Sequence, residues 1–346
     1  MPTGDGQSPF RAVATFDVDD AALWRRWEAL RAVGAATPFQ SAAFQRPLLT
    51  DLAPAFGRRP FVVEIFDADG SHVLSVGLVL GRSRIATHVE FPDFGITDQN
   101  APVWRRDLDP AAGEALRAAL LAALPRHDAL LLAKMPERID GLANPLAGWP
   151  GTSAMNVVTM VYDPASRPPA ELPAVKEAAR KCRKLRREGG DIRRVDDLDR
   201  AFALLDFAFA LRADKAGRAG RRETIDLPQV QAFYRAVLSA GHGDGSVPVW
   251  EVVLGDRTIA MALGLAGGGR FNGTLMATDD DVDLAPYSPG MIAVATILED
   301  HVAAGGGLFD LGPGEQPYKR RFGGEPAGLV EYDRVASPLG LPGAAD

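Results

Sequence analysis

The spacing of apolar and polar positions divides the chain into two halves with the same order of elements. Leu23, Trp27 and Leu30 recur on one helical face behind Asp20, a residue type that caps helix starts, so residues 20–33 are expected to be helical. TPFQSAAF (37–44) opens a second helical segment. From residue 61 the period shortens to two. FVVEIF, then VLSVGLVL after the turn DADG, then IATHVEF (85–91) read as strands, because an Asp-Gly turn between apolar runs is a hairpin signal. A loop rich in Asp, Pro and Gly (92–102), an amphipathic helix around 110–124 and the buried strand ALLLA (129–133) follow.

The second half repeats this order. Residues 198–211 and 227–240 carry helical patterns, the latter with Phe233 and Tyr234. WEVVL (250–254), TIAMALGL (258–265) and RFNGTLMA (270–277), separated by GDR and AGGG, predict a three-stranded meander. Met291, Val294, Ala295, Leu298 and Val302 mark one face of a further helix, which ends at GGG (305–307) before the buried strand LFDL. The expectation is an α+β fold of two tandem domains, 1–162 and 191–346, each with a mixed, mainly antiparallel sheet flanked by helices. Residues 163–190 join them as a Pro-rich connector and a basic helix.

Length agrees with this division: 346 residues suit two domains at roughly 100–200 residues each. A 47% hydrophobic and 24% charged composition is that of a globular protein with a sizeable core. No apolar run approaches the roughly 18–20 residues of a membrane span, and MPTGDGQSPFR lacks the pattern of an export leader. Cys182 is the only cysteine, which excludes an internal disulfide and fits a reducing compartment; a cytoplasmic location is expected. Its neighbours Lys181, Arg183 and Lys184 raise the question of a reactive thiolate, although a cysteine on a charged helix is commonplace. Histidines at 72, 88, 127, 242 and 301 show no metal-binding spacing, so no metal is expected. The glycine clusters lack a dinucleotide-binding context, and LGPGEQ is not a phosphate-binding P-loop.

A net charge of −7 argues against nucleic-acid binding by the whole surface, so any anionic partner must be met locally. Two segments offer that. The helix KEAARKCRKLRREGG (176–190) is densely basic; it reads either as a solvated bridge or as a dock for the phosphates of a nucleotide-bearing donor or of tRNA. Ser288-Pro289-Gly290 stands directly at the start of the helix through Met291. Ser288 suits the cap and Pro289 the first turn, which leaves the amides at and after Gly290 unpaired and turned outward, ready for an anion such as a pyrophosphate. Taken alone, this is also an ordinary helix cap.

The meander, the helix opened by a glycine-bearing turn and the strand after it resemble the acetyl-CoA-binding core of the GNAT acyltransferases. More narrowly, SPGMIAVATILEDHVAAGGGLFDLGPGEQPYKRRFG resembles the C-terminal signature of the CelD-like, cellulose-biosynthesis-associated acetyltransferase branch, whose members are similar to FemAB-type transferases. TPFQSAAF, KCRKLRR and LRADK (211–215) resemble further landmarks of that branch, so the likeness runs from about Trp24 to Phe322. It implies two tandem GNAT-like domains, the first degenerate and the second carrying the site. It also implies acetyl-CoA or another acyl-CoA as cosubstrate, its pyrophosphate at Tyr287, Ser288, Pro289 and Gly290 and its pantetheine along Asn272, Thr274 and Leu275.

Acyl transfer to an amine needs a base for the ammonium proton and an acid for the leaving thiolate. Glu315 and Asp310 are the candidate carboxylates, each of which could equally cap the loop or pair with Lys319 or Arg320. Tyr318 and Tyr287 are the candidate acids. Lys319 resembles the lysine of the family's Tyr-Lys pair, able to hold an anionic acceptor or the oxyanion, and Arg212 and Lys215 are candidate substrate-binding cations. The expected acceptor is a small-molecule or glycan-precursor amine. Two alternatives stand beside this: a FemAB-like transferase using aminoacyl-tRNA, with residues 176–187 on the tRNA, and a non-catalytic protein of exopolysaccharide assembly.

Overall fold

The computed structural model describes residues 8–84 and 86–335. Residues 1–7, read above for a leader, and Ile85, counted in the third strand, lie outside them. The chain forms two compact units, one of residues Met1–Asn156 with Gly328–Asp346, the other of Val157–Ala327.

In the first unit, β1 (Phe10–Thr15) precedes α1 (Ala21–Val33), which Asp20 caps by accepting the Ala22 amide, and α2 (Ala42–Pro47) follows. Strands β2 (Arg59–Asp67), β3 (His72–Arg82) and β4 (Thr87–Glu90) form the expected meander; β5 (Val103–Arg105) pairs beside β3. Helix α3 (Gly113–Ala123) leads to β6 (Ala129–Pro136), which runs parallel to β4. Two apolar layers sandwich the sheet. Trp24 and Trp27 of α1 pack with Val62 and Val79 on one face, whereas Leu116 and Leu120 of α3 pack with Val63, Val89 and Leu130 on the other. This is the period-two alternation of strands covered on both sides.

The second unit begins within β7 (Thr152–Tyr162) and continues through α4 (Pro173–Arg187), β8 (Gly190–Val195), α5 (Leu198–Arg218) and α6 (Pro228–Gly241). The meander β9 (Val249–Leu254), β10 (Arg257–Gly267) and β11 (Arg270–Thr278) is followed by α7 (Pro289–Ala303), β12 (Phe309–Pro313) and the short helix α8 (Pro317–Arg321). The sheet order is β7-β12-β11-β10-β9-β8, antiparallel except for β11 with β12. Helix α4 is more than a solvated bridge. It buries Ala174, Val175, Ala178 and Leu185 and packs on α7, leaving Lys176, Arg180, Arg183, Arg186 and Arg187 exposed.

Strand β13 (Glu325–Val335) returns the chain to the first unit, where Leu329 to Val335 pair antiparallel with β6. The first unit's sheet therefore has the order β1-β2-β3-β4-β6-β13, again with one parallel pair in an antiparallel sheet. The sequence reading omitted β1, β5, β7, β8, β13 and the short helix α8, and β7 and β13 share one reason. Each unit takes the strand next to its parallel pair from the segment that follows the other unit's portion of chain, so no local pattern links that strand to its partners.

Candidate functional site

Strands β11 and β12 share only two parallel rungs, Phe271 with Phe309 and Asn272 with Asp310. From residue 273 β11 has no ladder partner on that side, while β12 keeps pairing with β7 through Val161–Asp310 and Thr159–Pro313. The two strands thus splay from the Asn272–Asp310 rung. Backbone amides and carbonyls on the freed edge need partners, and an extended ligand can supply them. Asn272 and Leu275 are buried, and the hydroxyl of Thr274 is enclosed with no hydrogen-bond partner among the described residues.

Helix α7 starts beside the far end of that edge. Gly290 approaches so closely that a Cβ there would lie 3.1 Å from Thr278 Oγ1 and 3.7 Å from Met276 Cε. Ser288 occupies the cap position but does not cap with its side chain, contrary to the expectation. Its backbone is left-handed, with φ of 50°, and its hydroxyl donates to Ala285 O at 3.3 Å instead. Its carbonyl accepts the amides of Met291 (2.9 Å) and Ile292 (3.2 Å), so these two are not free, contrary to the expectation. Two cations converge on this end. Lys181 of α4 donates to Ser288 Oγ at 2.5 Å, and Lys215 of α5 to Thr278 O at 2.7 Å. Positive charge beside a helix N-terminus is the arrangement that attracts phosphate oxygens.

Tyr287 is buried, donates its hydroxyl to Glu188 and lies under Lys184, whose Nζ is 4.9 Å from the ring centroid. The hydrogen bond to Glu188 holds its phenol above the ordinary tyrosine pKa. Arg212 is engaged elsewhere: its guanidinium makes two bonds to Glu223 Oε2, at 3.0 and 2.6 Å, and Arg221 takes the other oxygen.

At the other end of the splay, Asp310 accepts from Thr159 Oγ1 (2.5 Å) and from the Gly312 amide (2.7 Å). Burial pushes its carboxyl well above the usual aspartate range, and those two donors oppose the shift. Lys319, on α8, is only 3% exposed and donates to the carbonyls of Gly312 (2.9 Å) and Pro313 (2.7 Å), tying α8 to the end of β12. Tyr318 is 38% exposed, and desolvation raises its phenol pKa. Glu315 is half exposed and ion-paired with Arg320 at 2.8 Å. Burial also raises the Cys182 thiol, the reverse of what a reactive thiolate needs. No group of three or more metal-ligating side chains occurs among the described residues.

Sequence reasoning did not find Thr159 or Glu188 as partners of Asp310 and Tyr287. Thr159 stands on a strand that the sequence reading omitted, and Glu188 ends the basic helix, where nothing local links it to Tyr287.

Parallel strands that splay after two rungs, with a helix N-terminus at the open end, define the class: two tandem GNAT-like units, each a mixed sheet flanked by helices. Residues 174–320 match the family described as the acetyltransferase (GNAT) domain. Among solved structures the chain is similar to FemX, at 12% identity over 89% of this chain and 95% of that one with a TM-score of 0.63. It is similar to L-PGS from Bacillus licheniformis at 13% identity over 95% and 93% of the two chains (TM-score 0.55). A tandem GNAT protein from the clavulanic acid biosynthesis pathway gives 13% identity over 95% and 99% (TM-score 0.50). At these identities the likeness is one of fold. No curated protein matches the chain. No helix among the described residues is long and apolar enough to cross a membrane.

Proposed function

We propose that this chain is a cytoplasmic N-acyltransferase that moves an acetyl or other acyl group from acyl-CoA to an amine acceptor, with its active site in the second unit. The observation that carries the reading is the coincidence of the Asn272–Asp310 splay with the cationic start of α7 at opposite ends of one strand edge. The diphosphate meets the Gly290 amide, Lys181 and Lys215, flanked by Tyr287, Ser288 and Pro289. The pantetheine lies along Asn272, Thr274 and Leu275, where the orphaned Thr274 hydroxyl gains a partner.

The thioester carbon then lies near Asp310 and Tyr318. The acceptor nitrogen attacks that carbon, the C–N bond forms as the C–S bond breaks, and the sulfur takes the Tyr318 proton. Tyr318 suits this role better than Tyr287, whose hydroxyl is given to Glu188. A carboxyl raised by burial is a stronger base than one in water, which favours Asp310 for the ammonium proton; Glu315, open to water, is the alternative base. Lys319 acts as a positioning residue that fixes the loop between β12 and α8, and Arg212 with Glu223 borders the acceptor side. The CelD-like run at 288–323 supports a sugar or polysaccharide-precursor amine as acceptor.

One observation supports a second reading, the FemAB-like use of aminoacyl-tRNA. Lys176, Arg180, Arg183 and Arg187 of α4 are exposed and have no ion-pair partner among the described residues. Scanning fluorimetry with CoA, acetyl-CoA and longer acyl-CoAs, beside binding of charged tRNA across a salt series, separates the two. A ligand that prefers the folded state raises the melting point, and phosphate contacts weaken steeply with salt. Silence toward every CoA thioester sinks the first reading.

A further inference from the structure

Strands β11 and β12 part at a buried polar rung. Phe271 and Phe309, paired one rung earlier, stack on each other at 4.7 Å and pack with Ala295 and Leu298 of α7. Side chains alternate along a strand, so Asn272 and Asp310 lie together on the opposite face of the sheet, at the spacing of neighbouring strands, about 5 Å. Both are nearly closed off, at 4% and 5% exposure. Immediately beyond them β11 bulges: Gly273 pairs with Gly264 and Leu275 with Leu263, which leaves Thr274 without a rung on β10.

Acyl transfer puts negative charge on the thioester oxygen as the amine adds, and a donor fixed at that oxygen lowers the barrier. Most donors near the rung are already committed. Lys319, which the sequence suggests for this task, holds the carbonyls of Gly312 and Pro313, Thr159 gives its hydroxyl proton to Asp310, and the Tyr318 proton goes to the sulfur. Asn272 is different. Its side chain makes no hydrogen bond with another described residue, although a buried amide almost always has a partner. It is also neutral, whereas a further cation at that distance would pull the Asp310 pKa down and weaken it as a base.

We propose that Asn272 is a catalytic residue whose side-chain amide donates to the thioester oxygen. The inference rests on the acyl-CoA reading and adds to it the group that holds the oxyanion. As the acceptor nitrogen bonds to the carbonyl carbon, the C=O π pair moves onto oxygen beside the Asn272 N–H, and Asp310 takes the ammonium proton. The pair then returns, the C–S bond breaks and the sulfur takes the Tyr318 proton.

Infrared spectroscopy of acetyl-CoA with a heavy isotope at its carbonyl carbon, bound to the full chain, reads this hydrogen bond without any acceptor. The wild-type complex is expected to show the carbonyl stretch below its frequency in free acetyl-CoA, and Asn272→Leu to return it to that frequency or above. Binding should weaken no more than about tenfold, the effect of one neutral hydrogen bond. Asn272→Asp, of the same shape but without the donor, takes over if Asn272→Leu loses its native circular dichroism. A wild-type band at the free frequency overturns the proposal whatever the variants do. So does a lowered band that persists in a folded variant, which would make the donor a backbone amide, or a loss of binding far beyond tenfold, which would make Asn272 a binding residue. A wild-type chain that binds no acetyl-CoA sinks the acyl-CoA reading itself, an outcome distinct from binding with an unshifted band.

Discussion

Asn272 and Asp310 face each other on the last rung that β11 and β12 share, and Gly273 stands immediately beyond it. A Cβ added at Gly273 would lie 3.8 Å from Asp310 O, an ordinary contact, and the backbone there is not left-handed. Gly273→Val therefore folds, but its methyls enter the opening. We expect wild-type melting behaviour without ligand and loss of the acetyl-CoA-induced rise; a rise equal to wild type would remove the splay from the donor site.

Lys181 reaches the start of α7 with one hydrogen bond to Ser288 and an ion pair to Glu177 at 3.2 Å. Hydrogen bonds involving a charged group contribute about 1.5–3 kcal/mol, so Lys181→Ala is expected to weaken acetyl-CoA binding about 10- to 100-fold by calorimetry. An unchanged Kd would mean that the cation serves only to pin α4 to α7.

Tyr318 carries its proton at neutral pH as any ordinary phenol does, and burial raises its pKa further, so the proton is available for a basic leaving thiolate. Tyr318→Phe should lower kcat about a hundredfold with little change in KM, the pattern of an interaction made only in the transition state. A matching rise in KM with kcat intact would reassign the residue to acceptor binding.

Asp310 couples the site to pH. Burial raises its pKa in the folded chain above the roughly 3.9 of an exposed aspartate, so between the two values the folded state holds more protons than the unfolded state. Stability contributed by the protonated carboxyl is full below the unfolded value and is lost as pH climbs through the folded one. Urea unfolding across that window should show this loss in wild type and a flatter profile in Asp310→Asn. Thr159→Val, which removes a donor to the carboxylate, should extend the loss to higher pH; identical profiles in all three chains would contradict the shift.

Much of the fold was legible because it is local. The meander at 250–278, the helix after Ser288-Pro289 and the strand LFDL follow from periodicity, turn residues and caps acting over a few positions, and the order of elements in the two halves follows from the same signals. Tertiary structure decided the rest, since each remaining feature joins distant segments. Thr159 meets Asp310 across 151 residues and Lys181 meets Ser288 across 107. Ser288 has the side chain of a helix cap, but its backbone is left-handed and its hydroxyl bonds to Ala285 O and Lys181 instead. Likewise the pairing of Leu329 to Val335 with β6 exists only once β13 has crossed back to the first unit, because a strand's pattern tells which residues share a face and says nothing of which strand lies beside it.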